Sequence, residues 1–325
     1  MLSEAAVKQV VSLKQFLENN LCMEMIMRVL VPVDGGLDCR KAIEFLTSRK
    51  AWLEKVNATV ELLYVQKPYN EHPTEIGDFN MQAYYDKQTN EVFDRLAEVL
   101  KQVPFKYTKK MLVGHPAKLI PAYAEEHALD LIVMGARGLS PVKNLYLGSV
   151  SLGVLAKAHC PVMICRYAGE EVTRPTGWRV GISVDGSAFG PASAAFVTKN
   201  REFFGEDAHF EVINVADSNR TLPMDLLDQG VLEIDRELPE LDREEFESAT
   251  HETLAKFKEA GIAVKPVFLQ GTLHRSLVEY ASKNLDMVVM GTHGRGALSS
   301  LVFGSSTRAM IADTRLPLLI IPKKA

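Results

Sequence analysis

Asp286-Met-Val-Val-Met-Gly-Thr-His-Gly-Arg-Gly-Ala-Leu-Ser-Ser-Leu-Val-Phe-Gly-Ser-Ser-Thr307 passes from a short apolar run into a glycine-broken loop and on into a helix start. Met287 to Met290 reads as a central parallel strand buried on both faces, because it is continuously apolar and bounded by Asp286 and Gly291. Gly291 and Gly294 lack a Cβ, so the backbone there is free to take positive φ and to approach a ligand closely. Gly304-Ser305-Ser306-Thr307 then opens a helix, where unpaired N–H groups, hydroxyls and the positive end of the helix dipole point the same way. Such a stretch is suited to an anion, and to phosphate in particular.

The chain carries a second copy, Asp130-Leu-Ile-Val-Met-Gly-Ala-Arg-Gly-Leu-Ser-Pro-Val-Lys-Asn-Leu-Tyr-Leu-Gly-Ser-Val-Ser151. Gly135 and Gly138 match Gly291 and Gly294, the intervening stretches are equal in length, and Gly148-Ser149-Val150-Ser151 matches Gly304 to Thr307. A single loop of this kind could be a tight turn, whereas two in register between a strand and a helix start point to phosphate binding.

Around these loops the chain alternates strand and helix. Arg28 to Val33 is a strand ending in Asp34-Gly35-Gly36, and a helix runs from Asp38, its expected cap, to about Val56. Strands at Thr59 to Val65 and Phe105 to Val113, a long helix from Met81 to Gln102, a helix opened by Gly114-His115-Pro116, a helix from Ser149 to Ala158 and a strand from Val162 to Cys165 complete a βαβαβαβαβ unit. After a linker at 167–177 the pattern repeats. Trp178 to Val184 leads into Asp185-Gly186-Ser187, and helices at Pro191 to Phe204 and Leu273 to Asn284 alternate with strands at Phe210 to Val215, Ala263 to Leu269 and Leu318 to Ile321. The expected fold is α/β, with two tandem doubly wound domains at 28–166 and 178–325. Each is a five-stranded, mostly parallel sheet with helices on both faces.

Two segments stand apart. Residues 1–27 form an extension in which Ala6, Val7, Val10, Val11, Leu13, Leu17 and Leu21 fall near helical spacing, suiting either a helix packed on its own domain or an oligomerisation arm. Between Asp217 and Ser248, eleven acids face three arginines, an excess of −8 against −4 for the whole chain. This reads as a solvated face or a docking surface for a basic partner.

Composition narrows the function. At 325 residues and 47% hydrophobic content the chain can build two cores, and a net charge of −4 with pI about 6.1 argues against coating nucleic acid with a basic face. No apolar run reaches membrane-spanning length and no signal-peptide core is present, which leads us to expect a cytoplasmic protein with no membrane partner. Cys22, Cys39, Cys160 and Cys165 contain no Cys-x-x-Cys pair and suggest neither a disulfide framework nor a zinc site.

The two loops resemble the universal stress protein family in its tandem, ATP-binding form, whose pattern is Gly, two residues, Gly, nine residues, Gly, then Ser or Thr. The resemblance covers Arg28 to Pro322. It implies that Asp34 and Asp185 lie near adenosine and that Val65 and Val215 meet adenine through their backbone. It also implies that Gly135, Gly138, Gly148, Ser149, Val150 and Ser151 surround ribose and phosphates in the first half, as do Gly291, Gly294, Gly304, Ser305, Ser306 and Thr307 in the second. Arg137 and His293 occupy the same place in the two loops. The second half keeps a serine, Ser187, after its aspartate where the first has Gly36, so it is the better match. Further implications are a stress-response role and pairing of the two halves as a pseudo-dimer through Val162 to Cys165 and Leu318 to Ile321. Apart from the resemblance, we expect ATP to carry Mg²⁺ on its phosphates and its occupancy to act as a signal to an unidentified protein partner, since a ligand that binds one arrangement better shifts the protein towards it, with a homodimer of whole chains as a further option.

Two rivals stand beside this reading. Asp34-Gly-Gly-Leu-Asp-Cys39 faintly resembles the loop of ATP pyrophosphatases but lacks its leading serine, and a scaffold protein would use the glycines only as turns. No Walker A or Gly-x-Gly-x-x-Gly motif occurs, and His115, His274 and His293 form no ligand pair or recognisable catalytic set. We expect no catalytic residues and no protein metal ligands, hence a binder with weak ATP hydrolysis at most.

Overall fold

The computed structural model describes residues 26–69, 80–137, 147–166, 177–217, 234–292 and 303–322. The N-terminal extension up to residue 25 and 218–233 of the acidic stretch lie outside these. The first half runs β1 (Arg28–Val33), α1 (Leu37–Thr47), α2 (Lys50–Lys55), β2 (Thr59–Gln66), α3 (Met81–Leu100), β3 (Tyr107–Val113), α4 (Pro116–Glu126), β4 (Leu131–Gly135), α5 (Ser149–Leu155) and β5 (Val162–Cys165). The second runs β6 (Arg179–Ser183), α6 (Phe189–Lys199), a 3₁₀ turn (Arg201–Phe204), β7 (His209–Asp217), α7 (Ile234–Glu259), β8 (Val264–Gly271), α8 (Leu273–Asn284), β9 (Met287–Gly291), α9 (Ser305–Asp313) and β10 (Leu318–Ile321).

All ten strands join one sheet, in the order β3-β2-β1-β4-β5-β10-β9-β6-β7-β8. Pairing is parallel within each half and antiparallel only at the centre, where Leu318, Leu319 and Ile320 face Ile164, Met163 and Val162. The fold class expected from the alternation is therefore the observed one, and the last strands of the two halves do pair. Leu131 to Met134 and Met287 to Met290 are buried throughout, as continuous apolar strands between two helical layers must be. Ala42, Phe45, Leu46, Leu96, Val197 and Phe257 cover one face; Ile120, Val154, Leu277, Ala281 and Met310 cover the other.

Aromatic rings close the seam between the halves on the first face. Trp52 stands edge-on to Phe203 at 4.8 Å, Phe45 meets Trp178 at 5.8 Å, and the Trp52 indole N–H donates to Asn200 Oδ1 at 3.2 Å. The two halves thus share a core as well as a sheet.

Three local expectations need correction. The helix anticipated from Asp38 to Val56 divides at Ser48 and Arg49, where Thr47 and Ser48 turn their hydroxyls back onto the Ile43 and Phe45 carbonyls. Arg49 is instead held over the Phe45 and Trp178 rings at 4.8 and 4.6 Å. The helix anticipated from Pro191 to Phe204 stops at Lys199, because the Asn200 side chain donates to the Phe196 carbonyl and a 3₁₀ turn follows. Finally, Asp38 does not cap α1: Gly36 holds that position, and the Asp38 carboxylate is engaged elsewhere.

Candidate functional site

The carboxyl ends of β1, β2 and β4 open onto a cavity of about 620 Å³, at the point where the connections leaving β1's neighbours diverge. Asp34, Val65, Gly135, Arg137, Gly148, Ser149, Val150 and Ser151 all line it, so every described site residue of the first half converges on one space. Gly138 lies outside the described residues, as do His293 and Gly294. The size is that of a small-molecule site.

The loop returns to its strand by the same bonds in both halves. The Gly148 N–H donates to the Ala136 carbonyl at 2.8 Å and the Gly304 N–H to the Thr292 carbonyl at 3.0 Å, setting each glycine as the N-cap of α5 or α9. Ser151 Oγ donates to the Gly135 and Ala136 carbonyls, both at 3.1 Å, and Thr307 Oγ1 donates to the Gly291 carbonyl at 2.8 Å. These buried hydroxyls brace the loop against the strand. Ser149 and Ser305 are the exposed hydroxyls at the helix starts.

Glycine is required at the first loop position for a reason other than positive φ. A Cβ on Gly135 would lie 2.4 Å from the Asp38 carbonyl, and one on Gly291 would lie 2.4 Å from the Phe189 ring. Close packing of a helix start, not a left-handed backbone, excludes a side chain there. Left-handed glycines occur instead after the first strand of each half: Gly35 at φ 75° and Gly186 at φ 76°. Each follows an aspartate whose Oδ1 accepts a backbone N–H, from Gly36 at 2.9 Å and from Ser187 at 3.1 Å. Ser187 Oγ adds a bond to Asp185 at 2.6 Å, the extra hydroxyl that the first half lacks. Asp38 Oδ2 accepts the Arg137 N–H at 2.9 Å and so holds the glycine loop against α1.

Sequence reading missed the far wall. Gln66, Lys67, Gln88, Val92 and Arg95 also line the cavity, and the Arg95 side chain lies over Gly35. Gln88, Val92 and Arg95 recur at helical spacing on α3, the signal that could have found them. Tyr64 donates its hydroxyl to Gln66 Oε1 at the cavity edge. Cys39 lines the cavity as well, but burial pushes its thiol up to about 12, so it is a protonated, unreactive group at neutral pH.

In the second half the corresponding residues occupy corresponding places. Asp185 follows β6, Val215 lies near the end of β7, Gly291 ends β9, and Gly304 to Thr307 start α9. Phe189 stands where the first half has Asp38, packing an aromatic ring rather than a carboxylate against its glycine loop.

Comparison with known proteins identifies the family. The universal stress protein family model matches twice, over residues 25–166 and 179–322. The chain belongs to the universal stress protein family. It carries two such domains in tandem. A universal stress protein of Synechocystis is 31% identical over 143 residues, which is 44% of this chain and 44% of that one. One from Methanocaldococcus jannaschii is 26% identical over 165 residues, 49% of this chain and 95% of that one. A Mycobacterium tuberculosis member is 27% identical over 208 residues, 62% of this chain and 65% of that one. The chain thus spans under half the length of the Synechocystis relative. Among solved structures, a universal stress protein from Archaeoglobus fulgidus superposes with a TM-score of 0.62 at 20% identity, covering 92% of this chain and 98% of that one. Among the described residues of this universal stress protein, no helix is long and apolar enough to cross a membrane.

Proposed function

We propose that this universal stress protein is a cytoplasmic ATP-binding regulator whose nucleotide occupancy is read by a partner protein. The observation that carries the reading is the convergence of Asp34, Val65, Gly135, Arg137 and Gly148 to Ser151 on one cavity at the strand ends. Their chemistry suits the parts of a nucleotide. The main chain at Val65 offers polar groups to a base, Asp34 an acceptor for hydroxyls, and the start of α5 N–H groups for phosphate oxygens, with Arg137, Arg95 and Lys67 adding positive charge. Among the described residues no cluster of three or more His, Cys, Asp or Glu could hold a metal. Mg²⁺ keeps most of its waters and binds phosphate oxygens readily, so it is proposed to arrive on the phosphates.

Among the described residues the cavity is lined by one carboxylate, Asp34, which accepts the Gly36 N–H, and by no histidine. A site organised around binding groups rather than a general base should hold ATP and turn it over slowly if at all. Regulation then follows from differential affinity: a partner that prefers the occupied arrangement is favoured when ATP fills the cavity.

The test is to denature the purified protein and quantify released nucleotide by chromatography, then titrate stripped protein with ATP and Mg²⁺. Bound ATP that is lost in Gly148→Glu, with the fold retained, supports the reading. Wild-type protein that neither carries nor takes up ATP would sink it in favour of a scaffold. Production of AMP and pyrophosphate would replace it with a pyrophosphatase.

A further inference from the structure

The two halves share a frame but not a charge. On α3 the buried series Val92, Leu96, Leu100 fixes which face meets the sheet; on α7 the equally spaced buried series is Ala249, Thr253, Phe257. Setting one against the other places Glu252 at the position of Arg95 and Glu245 at that of Gln88. The strand register Val60↔Tyr107 against Phe210↔Val264 aligns β2 with β7, so Asp217 takes the place of Lys67. In the loops, His293 replaces Arg137.

Counting only positions that line the first cavity, Asp34, Lys67, Arg95 and Arg137 sum to −1 + 3 = +2. Among the described side chains their counterparts Asp185 and Glu252, with Glu245 in place of Gln88, sum to −3. A nucleoside triphosphate carries several negative charges, so the first set attracts it and the second repels it. Asp38 does not alter the sign: its carboxylate is spent on the Arg137 N–H and lies 3.4 Å from the Lys41 ammonium.

We infer that the halves are inequivalent: the first is the high-affinity site for a polyphosphate nucleotide, Arg95 is the residue that sets its preference for high negative charge, and the second half does not take free ATP with comparable affinity. This rests on the nucleotide reading above. Arg95 is suited to the role because its stem lies over Gly35 and its side chain lines the cavity, with the Glu91 carboxylate no nearer than 3.9 Å. The charge difference also reverses the ranking suggested by Ser187, since one added hydroxyl on Asp185 does not offset a change of five charges.

The experiment is a titration of the full-length, nucleotide-stripped protein with Mg·ATP and with AMP, read by equilibrium dialysis. We expect one tight ATP per chain. Arg95→Glu should weaken ATP about tenfold or more while changing AMP much less, since fewer phosphate charges are repelled. Arg95→Lys should restore most of the loss. Arg95 lies on the exposed side of α3, so neither variant disturbs the core. Two ATP bound with equal affinity, or an Arg95→Glu variant with unchanged ATP affinity, would overturn the inference and leave the nucleotide reading intact. Failure of the wild type to bind any ATP would instead overturn the nucleotide reading itself.

Discussion

Arg166 Nη1 donates to the Thr314 carbonyl at 3.0 Å, and to the Ile311 carbonyl at the same distance, so the residue after β5 closes the C-terminal end of α9. A first-half cation thereby meets the negative end of the helix that follows the second glycine loop. The guanidinium is buried, and burial followed by repulsion from Arg137 lowers its pKa to about 10. Arg166→Ala would leave the carbonyls without their donor, and charge-assisted bonds of this kind contribute about 1.5–3 kcal/mol. We expect a loss of about 2 kcal/mol in urea unfolding. An unchanged midpoint would show that the cap contributes nothing.

The glycine that ends β4 should be intolerant of even one methyl group. In Gly135→Ala the new Cβ meets backbone, the Asp38 carbonyl at 2.4 Å, which cannot rotate away. In Gly291→Ala it meets the root of the Phe189 side chain, Cγ at 2.4 Å and Cβ at 2.5 Å, which the backbone holds in place. Overpacking costs about 1–3 kcal/mol, and both variants should lose stability in that range. Calorimetry on the pair decides; a wild-type midpoint in either variant would contradict the argument.

Ser151 and Thr307 should matter through their hydroxyls and not through their size. Each is buried and donates to the carbonyl of the strand's last glycine. Removing the donor strands a buried acceptor, at about 1–3 kcal/mol. Thr307→Ser should therefore stay close to wild type in thermal unfolding, whereas Thr307→Val, nearly the same shape, should fall well below it. If Thr307→Val unfolded with wild type, the hydroxyl bond would not be holding the loop.

The alternation of strands and helices was legible because its signals are local: continuous apolar runs such as Leu131 to Met134, and glycines that punctuate them. The site's frame was legible for the same reason, since Asp34, Gly135 and Gly148 each sit at a strand end or helix start marked in the sequence. What escaped depended on partners distant in the chain. The break after Thr47 is fixed by Arg49 stacking on Trp178, a residue of the other half. Arg95 and Gln88 were hidden because α3 has many polar residues, and only packing of Val92 and Leu96 shows which of them face the strand ends. The Phe189 exchange for Asp38 was readable as a substitution but not as a contact.

Alkaline stability should carry the mark of two matched tyrosines. Tyr123 donates to Glu61 at 2.6 Å and Tyr280 to Glu211 at 2.8 Å, one pair in each half, and burial followed by the carboxylate pushes both phenols up to about 12. An unfolded tyrosine ionises near about 10. Between these values the folded state holds more protons than the unfolded state, so stability falls as pH rises. The contribution is complete below about pH 10 and gone above about 12. The double variant Tyr123→Phe, Tyr280→Phe should show a shallower loss of stability across that window, measured by denaturant unfolding at stepped pH. An identical slope would mean that other groups control alkaline unfolding.

The two halves should unfold together, because neither has a complete core alone. Trp52 is fully buried, its ring 4.8 Å from Phe203 and its N–H on Asn200, and both partners belong to the second half. Phe45 likewise meets Phe203 at 5.2 Å, and β5 would expose its open edge if β10 were removed. Truncating a buried tryptophan costs about 3–5 kcal/mol. Trp52→Ala lies in the first half, so if the halves were independent it would lower only that half's transition and leave a second, unshifted one. We expect instead a single calorimetric transition in wild type, moved as a whole to lower temperature in Trp52→Ala. Two transitions, of which one keeps its wild-type midpoint, would show that the shared sheet and the aromatic seam do not couple the domains.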